Sequence, residues 1–459
     1  MRSATRVSRP YPPLGLMKIA TYHKWRGDYV RFVKGLCPEC RRRKWDRVYI
    51  ATLFTFHWRT TLETIRYYSV SVDSARDMFV GGVMATLLGA EIEREASVTV
   101  LRGLLNKPGM LDPDDHQIVD LLVPDFSILD DTGYEYGLKD AYIAYATRGC
   151  PNDCSFCAVR LIEPEFVHYL PIRQQIRAIE EVYGPKQHLI LLDNNVLASA
   201  QFERIVDDLI DLGFHRGAKM NGRLRLVDFN QGIDLRLLTH EKMALLAKTA
   251  IRPLRLAFDY IEIKDLYVSR IKMARDSGLT TLSNYVLYNY QDTPQDFYER
   301  LKTNVILNEE FGMQIYSFPM KYIPLDAKDR SYIGPHWNRR FLRGIQCVLI
   351  ATRGMVGPRQ QFFEAAFGRD YQEFMEIVSM PDEYIIHRRK HDNNAAAEWR
   401  QLFRALSDEE RAAFFDLAGN GANSPSVECT ALTSRLRELL SHYPHGGQRP
   451  EEAATLELL

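Results

Sequence analysis

Three of the seven cysteines in this 459-residue chain fall within eight residues, in Tyr145-Ala-Thr-Arg-Gly-Cys150-Pro-Asn-Asp-Cys154-Ser-Phe-Cys157, spaced C-x-x-x-C-x-x-C. Thiolates this close in sequence read as a metal site or as part of a disulfide framework. Three of them on one short loop can hold three irons of a four-iron, four-sulfur (4Fe-4S) cluster, leaving the fourth iron open to an exogenous ligand. A structural zinc ion would want a fourth protein ligand, and none stands nearby in sequence. The plainer reading is three buried, redox-inert thiols. Seven unevenly spaced cysteines do not suggest a secreted disulfide scaffold, which places the chain in a reducing cytoplasm.

The elements that must position this loop form a regular series over residues 136–330. Short apolar runs predict strands at Ala141–Ala146, His188–Leu192, Leu224–Phe229, Leu254–Phe258, Leu282–Tyr288 and Gln314–Phe318. Helical periodicity fills the gaps at Ile172–Tyr183, Ala200–Leu212, Thr239–Thr249, Ile263–Ser277 and Pro294–Phe311. Thr239 and Thr293 are N-cap candidates, with Lys242 and Asp296 three residues on, so neither completes a capping box with Glu or Gln. Gly213 and Gly278 stand where helices should stop. Alternating strands and helices imply parallel winding, in which function gathers at the strand C-terminal ends. The six ends carry, in order, the cysteine loop, Asp193-Asn194-Asn195, Asn230-Gln231-Gly232 with Asp234, Asp259-Tyr260, Asn289-Tyr290, and Pro319-Met320-Lys321. Every predicted strand delivers polar or ligand-capable residues to one rim.

The cysteine spacing, with Arg148-Gly149 before it and Phe156 before the third cysteine, resembles the cluster loop of the radical S-adenosylmethionine (SAM) enzymes. Six strand-helix units fit the partial (β/α)6 TIM-type barrel that this resemblance implies. It implies a 4Fe-4S cluster on Cys150, Cys154 and Cys157, with SAM on the open iron and an electron donor such as flavodoxin or ferredoxin. One-electron cleavage of SAM then yields a 5′-deoxyadenosyl radical that abstracts hydrogen from a substrate the sequence does not identify. Asp193, Asn194 and Asn195 lie where the family contacts the methionine amino group, and match its G-G-E-like motif loosely. Gln231, Gly232 and Asp234 would serve the ribose or sulfonium, Asn289 the adenine side, and Phe156 would pack on adenine. Each is equally readable as a strand-end cap or turn residue. Asp259 and Tyr260, or Tyr288 and Lys321, would face substrate instead.

Residues 1–135 predict an α/β layer: a helix ending at Gly27, strands at Tyr29–Val33, Val48–Leu53, Met78–Gly82 and Val98–Leu101, and helices at Leu62–Tyr68 and from Val83 to about Glu93. This layer resembles the Rossmann-like, cobalamin-binding domain of one radical SAM subgroup, through Pro12-Pro13-Leu14-Gly15, Gly27, Leu53-Phe54-Thr55, Gly81-Gly82 and Leu121–Leu129. Cobalamin, if bound, would make methylation of an unactivated carbon the expected reaction. No D-x-H-x-x-G occurs, Ala51 replaces the serine of the family's S-x-L, and the first strand shrinks to about Thr5–Ser8. His23 and His57 are lone histidines. Cys37-Pro-Glu-Cys40, before the basic run Arg41–Lys44, falls in a predicted inter-strand loop and reads as a pair of free thiols. It is at most half of a zinc site, and a thioredoxin-like role would need it at a helix start.

Residues 331–440 predict a helical region, and 441–459 a mobile tail after a linker at Gly419–Ser426. Arg339, Arg340 and Arg343 would dock an anion or pair with acidic neighbours. A hydrophobic fraction of 46% against 26% charged is ordinary for globular chains. A formal net charge of zero makes no global case for nucleic acid, and no apolar run suits a bilayer. The basic start, Met1–Pro10, lacks the apolar core of a secretory signal. Two other readings stay open: a tRNA methylthiotransferase-like enzyme, and a non-catalytic iron-sulfur or zinc protein.

Overall fold

The computed structural model describes residues 11–138, 140–392, 394–419 and 433–443. It is a mixed α/β chain with parallel sheets and many helices. Thr5–Ser8, Cys429 and most of the expected linker and tail lie outside the described residues.

The first layer runs α1 (Leu14–Trp25), α2 (Pro38–Arg42), β1 (Val48–Thr52), α3 (Trp58–Tyr68), β2 (Met78–Gly82), α4 (Val83–Leu87), α5 (Gly89–Ala96) and β3 (Thr99–Leu101). Its three strands form one parallel sheet in the order β1-β2-β3, with Val48 opposite Met78 and Phe79 opposite Thr99. On β2, Met78 and Val80 turn the same way, as period-2 alternation requires, and are fully buried. Leu62, Ile65 and Tyr68 of α3 and Ile92 of α5 close over them in one apolar cluster that also takes in Cys40.

Three expectations fail in this layer. Tyr29–Val33 is not a strand, and Phe32 N–H donates to the Asp131 carboxylate at 3.0 Å instead of to a ladder. The single helix expected from Val83 is two, α4 and α5, parted at Leu88, which leaves the helical region at φ −115°. Cys37 and Cys40 do not lie in an open loop: Pro38, at the first helical position, starts α2 between them.

The second series supplies β4 (Ala141–Ala144), α6 (Val159–Ile162), α7 (Ile172–Tyr183), β5 (His188–Leu191), α8 (Phe202–Asp211), a two-rung antiparallel ladder of β6 (Lys219–Met220) and β7 (Arg223–Leu224), and β8 (Val227–Phe229). After α9 (His240–Lys248) come β9 (Leu254–Ala257), α10 (Lys264–Asp276), β10 (Thr281–Tyr288), α11 (Pro294–Phe311) and β11 (Gln314–Lys321). All six expected strands exist, but as two three-stranded sheets, β4-β5-β8 and β9-β10-β11. Ahead of β9, Val227 of β8 bridges Ile251, with Arg252 N–H donating to the Val227 carbonyl at 2.9 Å. The run expected as one strand at Leu224–Phe229 divides into β7 and β8.

By packing, the chain divides into Met1–Arg255 with Ile323–Tyr332, and Leu256–Tyr322 with Ile333–Leu459. In the second unit, α12 (Arg339–Thr352), α13 (Gln360–Phe367), α14 (Tyr371–Ser379), α15 (Asp382–Ile386), α16 (Arg388–His391), α17 (Ala395–Arg404), α18 (Asp408–Gly419) and α19 (Ser434–Ser441) follow the strands. Trp337, Phe341, Ile345, Phe374 and Trp399 share one apolar core with Val286 and Tyr288 of β10 and Phe297 and Leu301 of α11. Arg340 and Arg343 both bind Asp382, at 2.8 and 2.6 Å, so these two pair internally.

Candidate functional site

The cysteine loop leaves the C-terminal end of β4 and is tied down before its first cysteine. The Asp193 carboxylate, two residues beyond the end of β5, accepts from Ala146 N–H at 3.0 Å, Thr147 Oγ at 2.6 Å and Thr147 N–H. Its burial is complete, and that pushes its pKa up to about 6 against the pull of these donors. Asp193 is therefore engaged with the loop's own backbone.

One step later, Arg148 bridges Glu163 at 2.9 Å and Asp120 at 2.7 Å while stacking 3.4 Å over the Tyr145 ring. Burial would lower the Arg148 pKa, but Tyr145, Asp120 and Glu163 together raise it, so the guanidinium stays charged. Glu163 also accepts from Gly149 N–H at 2.7 Å and from Asn194 Nδ2 at 3.0 Å. Gly149 sits at φ +72°, and a Cβ there would meet the Glu165 carbonyl oxygen at 2.4 Å. Glycine is required on both counts.

The cysteines then enter a polar cluster built by three strand ends. Asn195, beyond β5, donates Nδ2 to Cys150 Sγ at 3.5 Å and to Asp234 Oδ2 at 3.2 Å. Asp234, beyond β8, also accepts from Asn152 of the cysteine loop at 2.9 Å and from both arms of Arg236 at 2.8 Å. Burial opposes ionisation of Asp234, but Arg236 and Asn152 outweigh it and hold the carboxyl below its ordinary value. The Arg236 guanidinium reaches Cys154 as well. A turn closed by Cys157 N–H on the Cys154 carbonyl at 2.9 Å sets the last two cysteines on one bend, with half-buried Phe156 at its tip.

Cys150, Cys154 and Cys157 are half-buried and none is in a disulfide. Among the described residues no three His, Cys, Asp or Glu side chains are already gathered as a metal cage, so a cluster would have to draw the three sulfurs together. Residues 151–158 form neither helix nor strand, which leaves that segment free of a ladder to break. The donor set suits thiolate-bound iron: N–H groups of Asn195 and Arg236 point at sulfur, the type of contact that tunes such clusters. Asn195 is 1% exposed, and its Oδ1 is buried without a hydrogen-bond partner. An orphan acceptor in this place is costly unless a donor arrives.

The remaining predicted residues are placed differently. Gln231 is exposed and donates to Asn230 at 3.3 Å; Gly232 makes the turn after β8 at φ +94°. Asn289 is fully buried at φ +67°, where its side chain joins the Tyr322 carbonyl and Gly334 N–H at 3.1 and 2.8 Å. That is a structural clasp inside the second unit. Tyr288 is packed against Phe297 and Trp337, 3% exposed, and presents no face to a substrate. Glu163, Asn152 and Arg236 are organising residues that sequence reading missed. The hint for Glu163 is indirect: an arginine beside a cysteine cluster, once buried, needs an anion.

The first layer's described histidines are His23, His57 and His116. His23 uses both ring nitrogens, on Asp28 at 2.7 Å and Tyr49 at 2.9 Å, and exposed His57 sits edge-on to Phe54 and Phe56. His116 is exposed as well, and the D-x-H-x-x-G pattern surrounds none of the three.

No family model and no curated protein matches the chain. Solved structures do. One is OxsB, a cobalamin-dependent S-adenosylmethionine radical enzyme, at 12% identity and a TM-score of 0.44 over 63% of this chain and 49% of that one. Another is SuiB of Streptococcus suis with S-adenosylmethionine bound, at 14% identity and a TM-score of 0.29 over 42% of this chain and 41% of that one. A further SuiB structure gives 12% identity and a TM-score of 0.33 over 64% and 60%. The structural neighbours are radical SAM enzymes. The chain spans about half the length of the OxsB chain it matches. Among the described residues, no helix is long and apolar enough to cross a membrane.

Proposed function

We propose that this chain is a radical SAM enzyme, with Cys150, Cys154 and Cys157 holding a 4Fe-4S cluster whose open iron takes SAM. The observation that carries the proposal is Asn195: one end of its amide donates to Cys150, and the other is a buried acceptor with no partner. An ammonium group beside the cluster would satisfy that acceptor, and the methionine end of SAM carries one. Bound together, cluster and SAM supply one-electron reductive cleavage and hydrogen abstraction from an unactivated position. The chain's own residues set the stage for this. Asp193 and Glu163 fix the loop's entry, Asp234 orients Asn195, Asn152 and Arg236, and Arg236 places positive charge beside Cys154. A flavodoxin- or ferredoxin-like donor would deliver the electron.

The test is anaerobic reconstitution with iron and sulfide, reduction in the presence of SAM, and assay of 5′-deoxyadenosine. The intact chain should produce it, and Ala at Cys150, Cys154 or Cys157 should abolish both iron retention and product. Asn195→Ala should keep its iron but need about tenfold more SAM for half-maximal rate, the loss of one hydrogen bond to a charged group. An assembled cluster that forms no 5′-deoxyadenosine sinks the proposal.

A further inference from the structure

Cys37 and Cys40 stand apart from the cysteine loop in sequence, and their arrangement is that of two unlike thiols. Cys37 is the N-cap of α2, half-buried, and its Sγ accepts from Cys40 N–H at 3.4 Å. Cys40 lies three residues on, 8% exposed, on the edge of the first layer's apolar core. The Cys40 N–H bond to Cys37 Sγ folds the first cysteine's sulfur back over the backbone of the second, three residues on.

The frame around them is fixed. Cys37 N–H donates to Tyr68 Oη at 2.8 Å, and that hydroxyl donates to the Gly35 carbonyl at 2.9 Å. The Cys40 carbonyl accepts from Trp45 Nε1 at 2.9 Å, and the Arg41 carbonyl from Ser71 Oγ at 2.9 Å. Around the thiols stand Arg31, whose charge favours the Cys40 thiolate, and Glu39, whose charge opposes both while its backbone N–H favours the Cys37 thiolate. The Cys40 N–H and thiol lower the Cys37 pKa, whereas burial, and Cys37 itself, push Cys40 up to about 11. Among the described residues no third ligand makes this pair a metal site.

We propose that Cys37 and Cys40 are a disulfide-exchange pair, Cys37 attacking a small-molecule disulfide and Cys40 resolving the product. The Cys37 thiolate forms an S–S bond to one sulfur of RSSR, and RS⁻ leaves with the proton Cys37 gave up. Cys40 then loses its proton, attacks Cys37 Sγ, and expels the second RS⁻, which takes that proton. The sum is RSSR plus two protein thiols giving one protein disulfide and two RSH, with two electrons passing from protein to RSSR. The half-buried position of Cys37 and the deeper burial of Cys40 match this order.

The test uses the full reduced chain, equilibrated anaerobically in glutathione buffers of rising oxidised fraction, acid-quenched, alkylated and mapped by mass spectrometry. The peptide spanning residues 35–41 should lose two hydrogens as an internal disulfide. Cys40→Ser should accumulate glutathione on Cys37, and Cys37→Ser should take up about tenfold less on Cys40, as its burial dictates. On the unaltered chain, iodoacetamide should label Cys37 about tenfold faster than Cys40, which keeps the proposal open to test if a variant does not fold. Absence of the internal disulfide at every buffer ratio, or equal labelling of the two thiols, overturns it. The readout lies in a peptide without Cys150, Cys154 or Cys157, so it is independent of the cluster assignment.

Discussion

Asp193 carries two opposed influences in one side chain: three donors that favour the carboxylate, and full burial that favours the acid, with burial the stronger. Its folded pKa of about 6 lies above the ordinary 3.8. Between those pH values the folded chain keeps a proton that the unfolded chain has released, so raising the pH costs stability. Asp193→Asn removes the titration and leaves every other group alike. The stability of the natural chain relative to this variant should fall from pH 4 to pH 6 by up to about 3 kcal/mol and level off above. Urea unfolding of both proteins at intervals from pH 4 to 7 measures it, and parallel curves would contradict the assignment. From sequence, Asp193 reads as a cofactor contact because it follows a strand. That position was legible; the N–H groups of Ala146 and Thr147 turned toward it were not, since they arise from the bend of a different segment.

At the scale of elements, the six strands and the helices between them were legible because apolar runs and helical periodicity repeat without interruption over residues 136–330. Thr293 shows the limit of residue-type rules. Its capping box is complete, with Asp296 accepting from Thr293 N–H at 2.8 Å, although the box rule names Glu or Gln at that place. The cysteine loop hangs on a similar local condition at Gly149. Gly149→Ala must bear both the left-handed backbone, about 1–2 kcal/mol, and collision with the Glu165 carbonyl. Gly217, at φ +75° with nothing within 4 Å of a Cβ, isolates the first cost. Gly217→Ala should therefore lose about 1 kcal/mol and keep its reconstituted iron. Gly149→Ala should lose clearly more and retain less iron, read by urea unfolding and iron per chain. Equal losses would mean that the Glu165 contact does not constrain the loop.

For the whole molecule, the helices after residue 332 were the least informative stretch in sequence, since helical periodicity names a face and not its partner. The structure supplies the partner: Trp337, Phe341, Ile345, Phe374 and Trp399 form one core with β10 and α11. A chain ending at Tyr332 would bare Val286, Tyr288, Phe297, Tyr298, Leu301 and Val305, all of them buried in this core. At about 1.5–3 kcal/mol for each fully buried apolar side chain, even partial exposure of six would remove roughly 10 kcal/mol, which is comparable to the entire stability of a typical domain. The shortened chain should therefore fail to fold residues 256–322, exchange the amide hydrogens of α11 without protection, and bind a hydrophobic dye. A monomeric, cooperatively unfolding chain of residues 1–332 with a protected α11 would show that the later helices are an appendage. The core that Trp337 and Trp399 share with Tyr288 and Phe297 points the other way: β10, β11 and the C-terminal helices belong to one compact unit, and the helical end is part of what holds β10 in place.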